Sequence, residues 1–407
     1  MIKILLALIA VVVLVACRDD DTNSLNPPLT QKPGVPVATP DFSRTDFMRD
    51  LDDPWDMAFT LDSTMFFTEK CRGLSVRTPD GKVTKLFGGN GYNTFVPDFF
   101  CAGQSGMHGV AIDPNFASNR RIYVFMPSEL SSPRTNRIVR LVVDANFTSV
   151  SERTDIITDI SFKDRRNLWG GVGTHSGGRI RFGPDGYLYI TTGDNHNGPL
   201  PQDLTKLGGK ILRVDTNGKA APGNNTPTGG DPRIYVYGLR NAQGLTFKPS
   251  NGRPFIAEHG PNHSDEVTAL SPGGNGGWDP KPDSGVSCAD NYCGYISNRK
   301  DGKLTSMTDT DKFPQALKPL FVMPDSQGMG TAAFVVGQQW KDWNGILLVS
   351  LMASEKLIAL KVNDQDGLSS ITPVNVPSER IRSIVQGPDS NIYMALDDGT
   401  IWKFTPK

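Results

Sequence analysis

Net charge is almost absent from this chain: Lys and Arg number 42 against 43 Asp and Glu. That excludes an overall basic field for nucleic acid, and there is no acidic tail, so a small-molecule partner is expected. Sustained 3.6-residue periodicity is also scarce, and no C-x-x-C pair with accompanying histidines offers zinc-type ligand spacing. The one long apolar run, Ile4 to Ala16, is too short for a comfortable membrane-spanning helix. What the chain has instead is turn chemistry. Its 42 glycines and 30 prolines in 407 residues suit one large all-β domain.

The N-terminus reads as a targeting segment. Lys3 supplies the positive start, and the apolar run ends in Leu14-Val15-Ala16-Cys17. A small residue followed by cysteine resembles the lipobox of bacterial lipoproteins, which implies cleavage before Cys17, acylation there, and an exported, periplasmic chain held to a membrane only by lipid. An ordinary secretory signal with another cut site is the alternative. Arg18 after the cysteine favours the outer membrane by resemblance to known sorting signals. Residues 18–41, rich in Asp and Pro, should form a solvated tether, with the folded domain spanning 42–407. Four cysteines remain. Local pairing would join Cys288 to Cys293 and Cys71 to Cys101, with metal ligation as the other possibility.

From Phe42 onward one pattern recurs six times: an apolar strand, a turn of Pro, Asp, Asn or Gly, and a returning apolar strand. The copies are Trp55 to Glu69, Gly106 to Met126, Ser176 to Asp194, Ala242 to His259, Thr331 to Met352 and Arg380 to Leu396. Roughly 60 residues per copy is enough for a four-stranded antiparallel blade, so the expected fold is a six-bladed β-propeller. The early segment around Phe47 to Leu51 would complete the last blade beside Gly399 to Phe404.

Chemistry concentrates at the open ends of these hairpins. In the third copy the turn is Gly183-Pro184-Asp185-Gly186; His175 lies eight positions before it and Asp194 eight after. Equal arms bring imidazole and carboxylate to one end, the arrangement of a general base with a fixed tautomer. A loop histidine beside a turn aspartate is the plainer alternative. The same counting places Gln104, Arg240, Asn241, Arg380 and Arg382 at the same end of their blades. Three arginines round one cavity call for an anion, and a guanidinium pairs carboxylates bidentately. Arg380 and Arg382, two apart on a strand, could also form a solvated stripe. His108, His196, His259 and His263 have no ligand spacing and read as mouth or loop residues.

The segments GQSGMHGVAIDPNF, HSGGRIRFGPDGYLYITTGD, YGLRNAQGLTF, EHGPNHSDE, GGNGGW and RIRSIVQGPDSNIYMALD resemble, in order, the soluble quinoprotein glucose and aldose sugar dehydrogenases. The likeness runs from about Trp55 to Phe404. It implies an oxidoreductase that oxidises aldoses at the anomeric carbon to lactones, with pyrroloquinoline quinone (PQQ) and calcium as cofactors and a separate electron acceptor. Carried over by position, it makes His175 the base, Asp194 its orienting carboxylate, and Arg240 the cation on the quinone carbonyl with Asn241 beside it. Gln104, Arg380 and Arg382 would hold the cofactor's carboxylates. The carbonyls of Gly260 and Pro261 would bind calcium; Asp265 and Glu266 follow in the family pattern, with Glu266 a weaker candidate for a second calcium.

Two positions depart from that pattern. Met352 stands after Ser350-Leu351 where the family commonly has a lysine, and Lys356 is out of register. Thr174 replaces the aspartate that glucose-specialised members carry before the histidine, so substrate contact there is expected to differ. Two other functions compete. A calcium-dependent propeller lactonase would line its channel with carboxylates rather than arginines, and a non-catalytic lipoprotein would keep the propeller as a binding scaffold.

Overall fold

The computed structural model describes residues 34–164 and 170–407. The expected leader, Cys17 and the tether up to residue 33 lie outside the described residues. Six antiparallel sheets follow one another along the chain, and each of the six sequence copies is the inner hairpin of one blade. The inner strands are Pro54–Phe59, Val110–Ile112, Ile180–Phe182, Ala242–Phe247, Met329–Phe334 and Ile381–Gln386. The expected six-bladed propeller is the observed fold.

Burial explains why the strands behind them are apolar on both sides. A blade is packed between two neighbours, so its middle strands Ile346–Leu351 and Ile392–Leu396 are buried at every position. Exposed residues concentrate in outer strands such as Val150–Ile160 and Phe42–Met48. Six apolar clusters fill the six blade interfaces. Phe66, Leu74, Val124 and Leu141 join the first blade to the second, and Met57, Phe67, Tyr393 and Ile401 join the sixth back to the first. Each fully buried Leu or Phe contributes about 1.5–3 kcal/mol, so closing the ring adds a complete interface.

The closing strand is Phe42–Met48, paired antiparallel to Ile401–Pro406 as the outer strand of the sixth blade. Leu51 lies beyond it and donates its N–H to the Gly399 carbonyl at 3.0 Å. Ordered contacts begin earlier than Phe42: Gly34 N–H reaches Ser369 O and Val37 N–H reaches Thr372 Oγ1, both at 2.9 Å. Two blades exceed four strands. Thr94–Phe95 and Gly274–Asn275 each add a short parallel strand at a sheet edge.

Both cysteine pairs are disulfides, Cys71–Cys101 and Cys288–Cys293. The second lies in the long insertion between strands His263–Ala269 and Phe321–Asp325, which has its own small core of Trp278, Tyr292 and Met307. Across the channel, Asp56 binds Arg179, Arg181 and Ser383, tying the first, third and sixth inner strands together. Among the described residues no helix is long and apolar enough to cross a membrane.

Candidate active site

The third hairpin delivers what its arm lengths require. Ile180–Phe182 pairs with Leu188–Thr191, Ile180 opposite Ile190. Beyond the strands the arms stay together, and His175 Nδ1 lies 2.7 Å from Asp194 Oδ1. Gly193 permits the approach, because a Cβ there would sit 2.1 Å from the His175 carbonyl oxygen. His175 itself has φ 49°, and Asn195 and His196 have φ 50°, so three non-glycine residues at this mouth adopt the left-handed region. Such strain is held by surrounding bonds and gathers at functional sites. Here Asn195 Nδ2 donates to the carbonyls of Thr174 and His175, at 3.2 and 2.8 Å.

Asp194 has no exposed side-chain surface, and its oxygens accept three hydrogen bonds. His175 Nδ1–H and the His196 backbone N–H share Oδ1; the Trp278 indole N–H donates to Oδ2 at 2.8 Å. The donor on Nδ1 leaves the lone pair of His175 on Nε2. Burial, reinforced by Arg240, His259 and Lys163, holds the His175 pKa well below the ordinary histidine value. The imidazole is therefore neutral at neutral pH. Burial raises Asp194, against the pull of His196, Arg240 and the Trp278 N–H.

Arg240 is buried beside this pair. Its Nη1 donates to the His259 carbonyl at 2.7 Å and its Nη2 to the Tyr295 hydroxyl at 2.9 Å, while Nε has no partner among the described residues. The Asn241 side-chain oxygen accepts the Gly177 N–H at 3.2 Å, and the backbone N–H groups of Arg240 and Asn241 both point to Glu258 Oε1.

Next to these groups a cavity of about 310 Å³ opens. Gln104, Asn241, Arg380 and Arg382 line it, together with Trp55, Lys70 and Met352. Arg240 and His175 stand just behind its walls. Arg380 and Arg382 already share one anion of the protein's own, Asp397. Arg382 Nε and Nη2 bind both oxygens of Asp397 at 2.8 and 2.6 Å, and Arg380 Nε reaches the same carboxylate at 2.9 Å. Arg382 and Arg380 hold the Asp397 carboxyl low although burial works to raise it. Asp397 was missed in the sequence, although the counting that found Arg380 finds it: each lies seven positions from the Gly387 to Ser390 turn.

Lys70 was missed as well. It follows strand Met65–Glu69, enters the same cavity and pairs with Asp53 at 2.7 Å. Met352 lines the wall, and its carbonyl accepts from Arg380 Nη1 at 3.1 Å. Thr174 is buried with its hydroxyl donated to the Gly171 carbonyl.

Gly260 and Pro261 are buried, and neither carbonyl accepts a backbone hydrogen bond among the described residues. Asp265 shapes this loop by accepting the Gly260, Gln327 and Met329 N–H groups. Glu266 faces Glu258 across the strand pair and accepts from Thr308 Oγ1 at 2.9 Å. Burial, then the neighbouring Glu258, raises Glu266 well above its usual value, and burial pushes Glu258 up to about 7. Among the described residues no three His, Cys, Asp or Glu side chains gather as a metal cluster. Glu266 and Glu258 thus form a buried carboxyl pair whose charged forms burial disfavours.

The remaining histidines divide. His108 is stacked on Trp55 at 4.5 Å, and burial pushes its pKa down to about 3. His259 lines the cavity beside Asp265, and His263 meets the Ser264 hydroxyl. His196, expected to be a mouth or loop residue, stands directly against His175, Nε2 to Nε2 at 3.1 Å.

The model of the glucose/sorbosone dehydrogenase family matches residues 51–403. The chain is 28% identical to aldose sugar dehydrogenase YliI of Escherichia coli (strain K12), over 88% of this chain and 91% of that one. A solved glucose dehydrogenase superposes with a TM-score of 0.74 at 26% identity, covering 90% of this chain and 99% of the other. The PQQ-bound aldose sugar dehydrogenase of Streptomyces coelicolor shares the fold with a TM-score of 0.68 at 23% identity, covering 91% and 100%. A match over this much of the propeller leaves one conclusion: the chain belongs to the glucose/sorbosone dehydrogenase family.

Proposed function

We propose that this protein is a PQQ-dependent aldose sugar dehydrogenase that oxidises the anomeric carbon to a lactone. One observation carries the reading. A neutral, buried imidazole with its Nδ1–H fixed on Asp194 stands beside a cation-lined cavity. His175 Nε2 would take the proton of the anomeric hydroxyl, and Asp194 would stabilise the imidazolium that forms. Arg240, one buried cation with both Nη groups fixed, supplies a preorganised positive field.

The cavity suits a polycarboxylate. Arg380 Nη2 and Arg382 Nη1 have no partner among the described residues, so each guanidinium keeps an edge free of Asp397. Gln104 and Asn241 would add polar contacts, and Lys70 an ammonium on the wall where Met352 offers none. When bound, PQQ supplies a two-electron acceptor for the hydride of the anomeric carbon. The Gly260 and Pro261 carbonyls would hold calcium, a hard cation that prefers oxygen. Two carbonyls are too few alone, so metal and cofactor should bind interdependently.

Export, acylation at Cys17 and outer-membrane anchoring belong to this reading and rest on the leader sequence. Titrating the apo-protein with PQQ, with and without calcium, tests the site, and screening aldoses with an artificial acceptor tests the reaction. Binding that chelation weakens, followed by lactone formation, is expected. Failure to bind PQQ at all would favour a non-catalytic propeller.

A further inference from the structure

The lone pair that should receive the substrate's proton is already covered. His175 Nε2 has His196 Nε2 at 3.1 Å, the rings meeting edge to face at 86°. Two lone pairs do not attract, so one of these nitrogens carries a proton. His175 keeps its proton on Nδ1 for Asp194, and the shared hydrogen therefore sits on His196 Nε2. The opposite nitrogen agrees: His196 Nδ1 is buried with no partner among the described residues, as befits a bare lone pair more than an N–H.

This ring is held in place. It stacks on Tyr292 at 4.7 Å, its backbone N–H is tied to Asp194, and its φ of 50° fixes the approach. The Tyr295 hydroxyl, which accepts from Arg240, lies 3.3 Å from the same Nε2.

We propose that His196 is a positioning residue that lends its Nε2–H to His175 in the free protein and turns it to the oxygen of the reacting hydroxyl when substrate binds. The inference rests on the dehydrogenase reading above. An incoming hydroxyl must take the place of this N–H at His175 Nε2. The displaced N–H then finds the oxygen of that same hydroxyl, whose lone pairs accept while its O–H donates to His175. The Tyr295 hydroxyl, 3.3 Å away, holds the His196 edge towards this point. His196 thus orients the reacting hydroxyl so that its proton faces the base, and the proton and hydride of the reaction go where the proposed function sends them.

His196→Phe keeps the ring stack and deletes the donor; His196→Gln restores an N–H. In the Phe variant kcat/KM for an aldose should fall about tenfold or more, chiefly through KM, with PQQ affinity unchanged and partial rescue by Gln. Nitrogen NMR of the apo-protein at fixed neutral pH should show the His175 Nε2 signal moving to that of an uncovered lone pair. An unmoved signal, or a KM within twofold of the parent, would overturn the assignment. Absence of turnover in the unaltered holoenzyme would instead sink the dehydrogenase reading and the substrate half of this one, with the NMR arm still deciding the histidine pair.

Discussion

His175 and Arg382 each bind one carboxylate, Asp194 and Asp397, yet the Asp194 side chain is wholly buried and that of Asp397 is 21% exposed. The first pair sits in a buried pocket between His196, Trp278 and Arg240, with three hydrogen bonds fixed on Asp194 and the backbone strained. The second is half open, its partners are the long side chains of Arg380 and Arg382, and donors remain on both. Geometry is what proton transfer demands, because a tautomer or a tilt decides whether a lone pair meets a hydroxyl. Exchangeable charge is what anion binding demands. A guanidinium parked on an aspartate stays soluble and ordered, and can share itself with an arriving carboxylate.

Removing His175 should break this division most sharply. His175→Ala is expected to lower turnover by about 10²- to 10⁴-fold, the range for one positioned proton acceptor, while PQQ affinity stays within a few-fold. Asp194→Asn should lower turnover too, by releasing the tautomer. Steady-state kinetics at saturating cofactor, with PQQ binding followed separately, reads both. Normal turnover in His175→Ala would move the base elsewhere.

Arg382→Ala should give the reverse signature. Loss of one charged hydrogen-bond donor costs about 1.5–3 kcal/mol, roughly 10- to 150-fold in the Kd of the cofactor. Turnover at saturation should change little. Added salt should weaken this half-open binding and leave the buried His175–Asp194 pair untouched, since exposed charges are screened and buried ones are not. Equal loss of affinity and turnover would mean that the two walls act as one.

The fold was legible because propeller blades repeat one hairpin, and a hairpin's turn sets its register. The same hairpin brought His175 to within one register position of Asp194, and counting outward from Gly387 to Ser390 reaches Asp397 as surely as Arg380. The insertion offered no such ruler. Trp278, Tyr292 and Tyr295 come from a segment with almost no strand between Ala269 and Phe321, so nothing periodic linked them to Asp194, His196 or Arg240. His196 itself follows a strained turn, where neighbours in sequence say little about direction. Asp397 was overlooked for a related reason: spacing along one strand finds Arg380 and Arg382, but their anion arrives from the returning strand.

The smallest expected effect concerns pH. An ordinary histidine, with a pKa near 6.5, would be about nine-tenths protonated at pH 5.5, so a base of that kind would lose roughly tenfold in rate between neutrality and that pH. Burial, then Arg240, His259 and Lys163, shift His175 downward. A lowered pKa means that the neutral, proton-accepting form persists to lower pH, so the acid limb of kcat should fall below 6.5 and the loss at pH 5.5 should stay under about threefold. The measurement is kcat against pH at saturating PQQ and sugar, which separates the base from binding. A tenfold loss by pH 5.5 would show that water reaches His175 in the working enzyme, and the contrast between a buried wall and an open one would no longer hold.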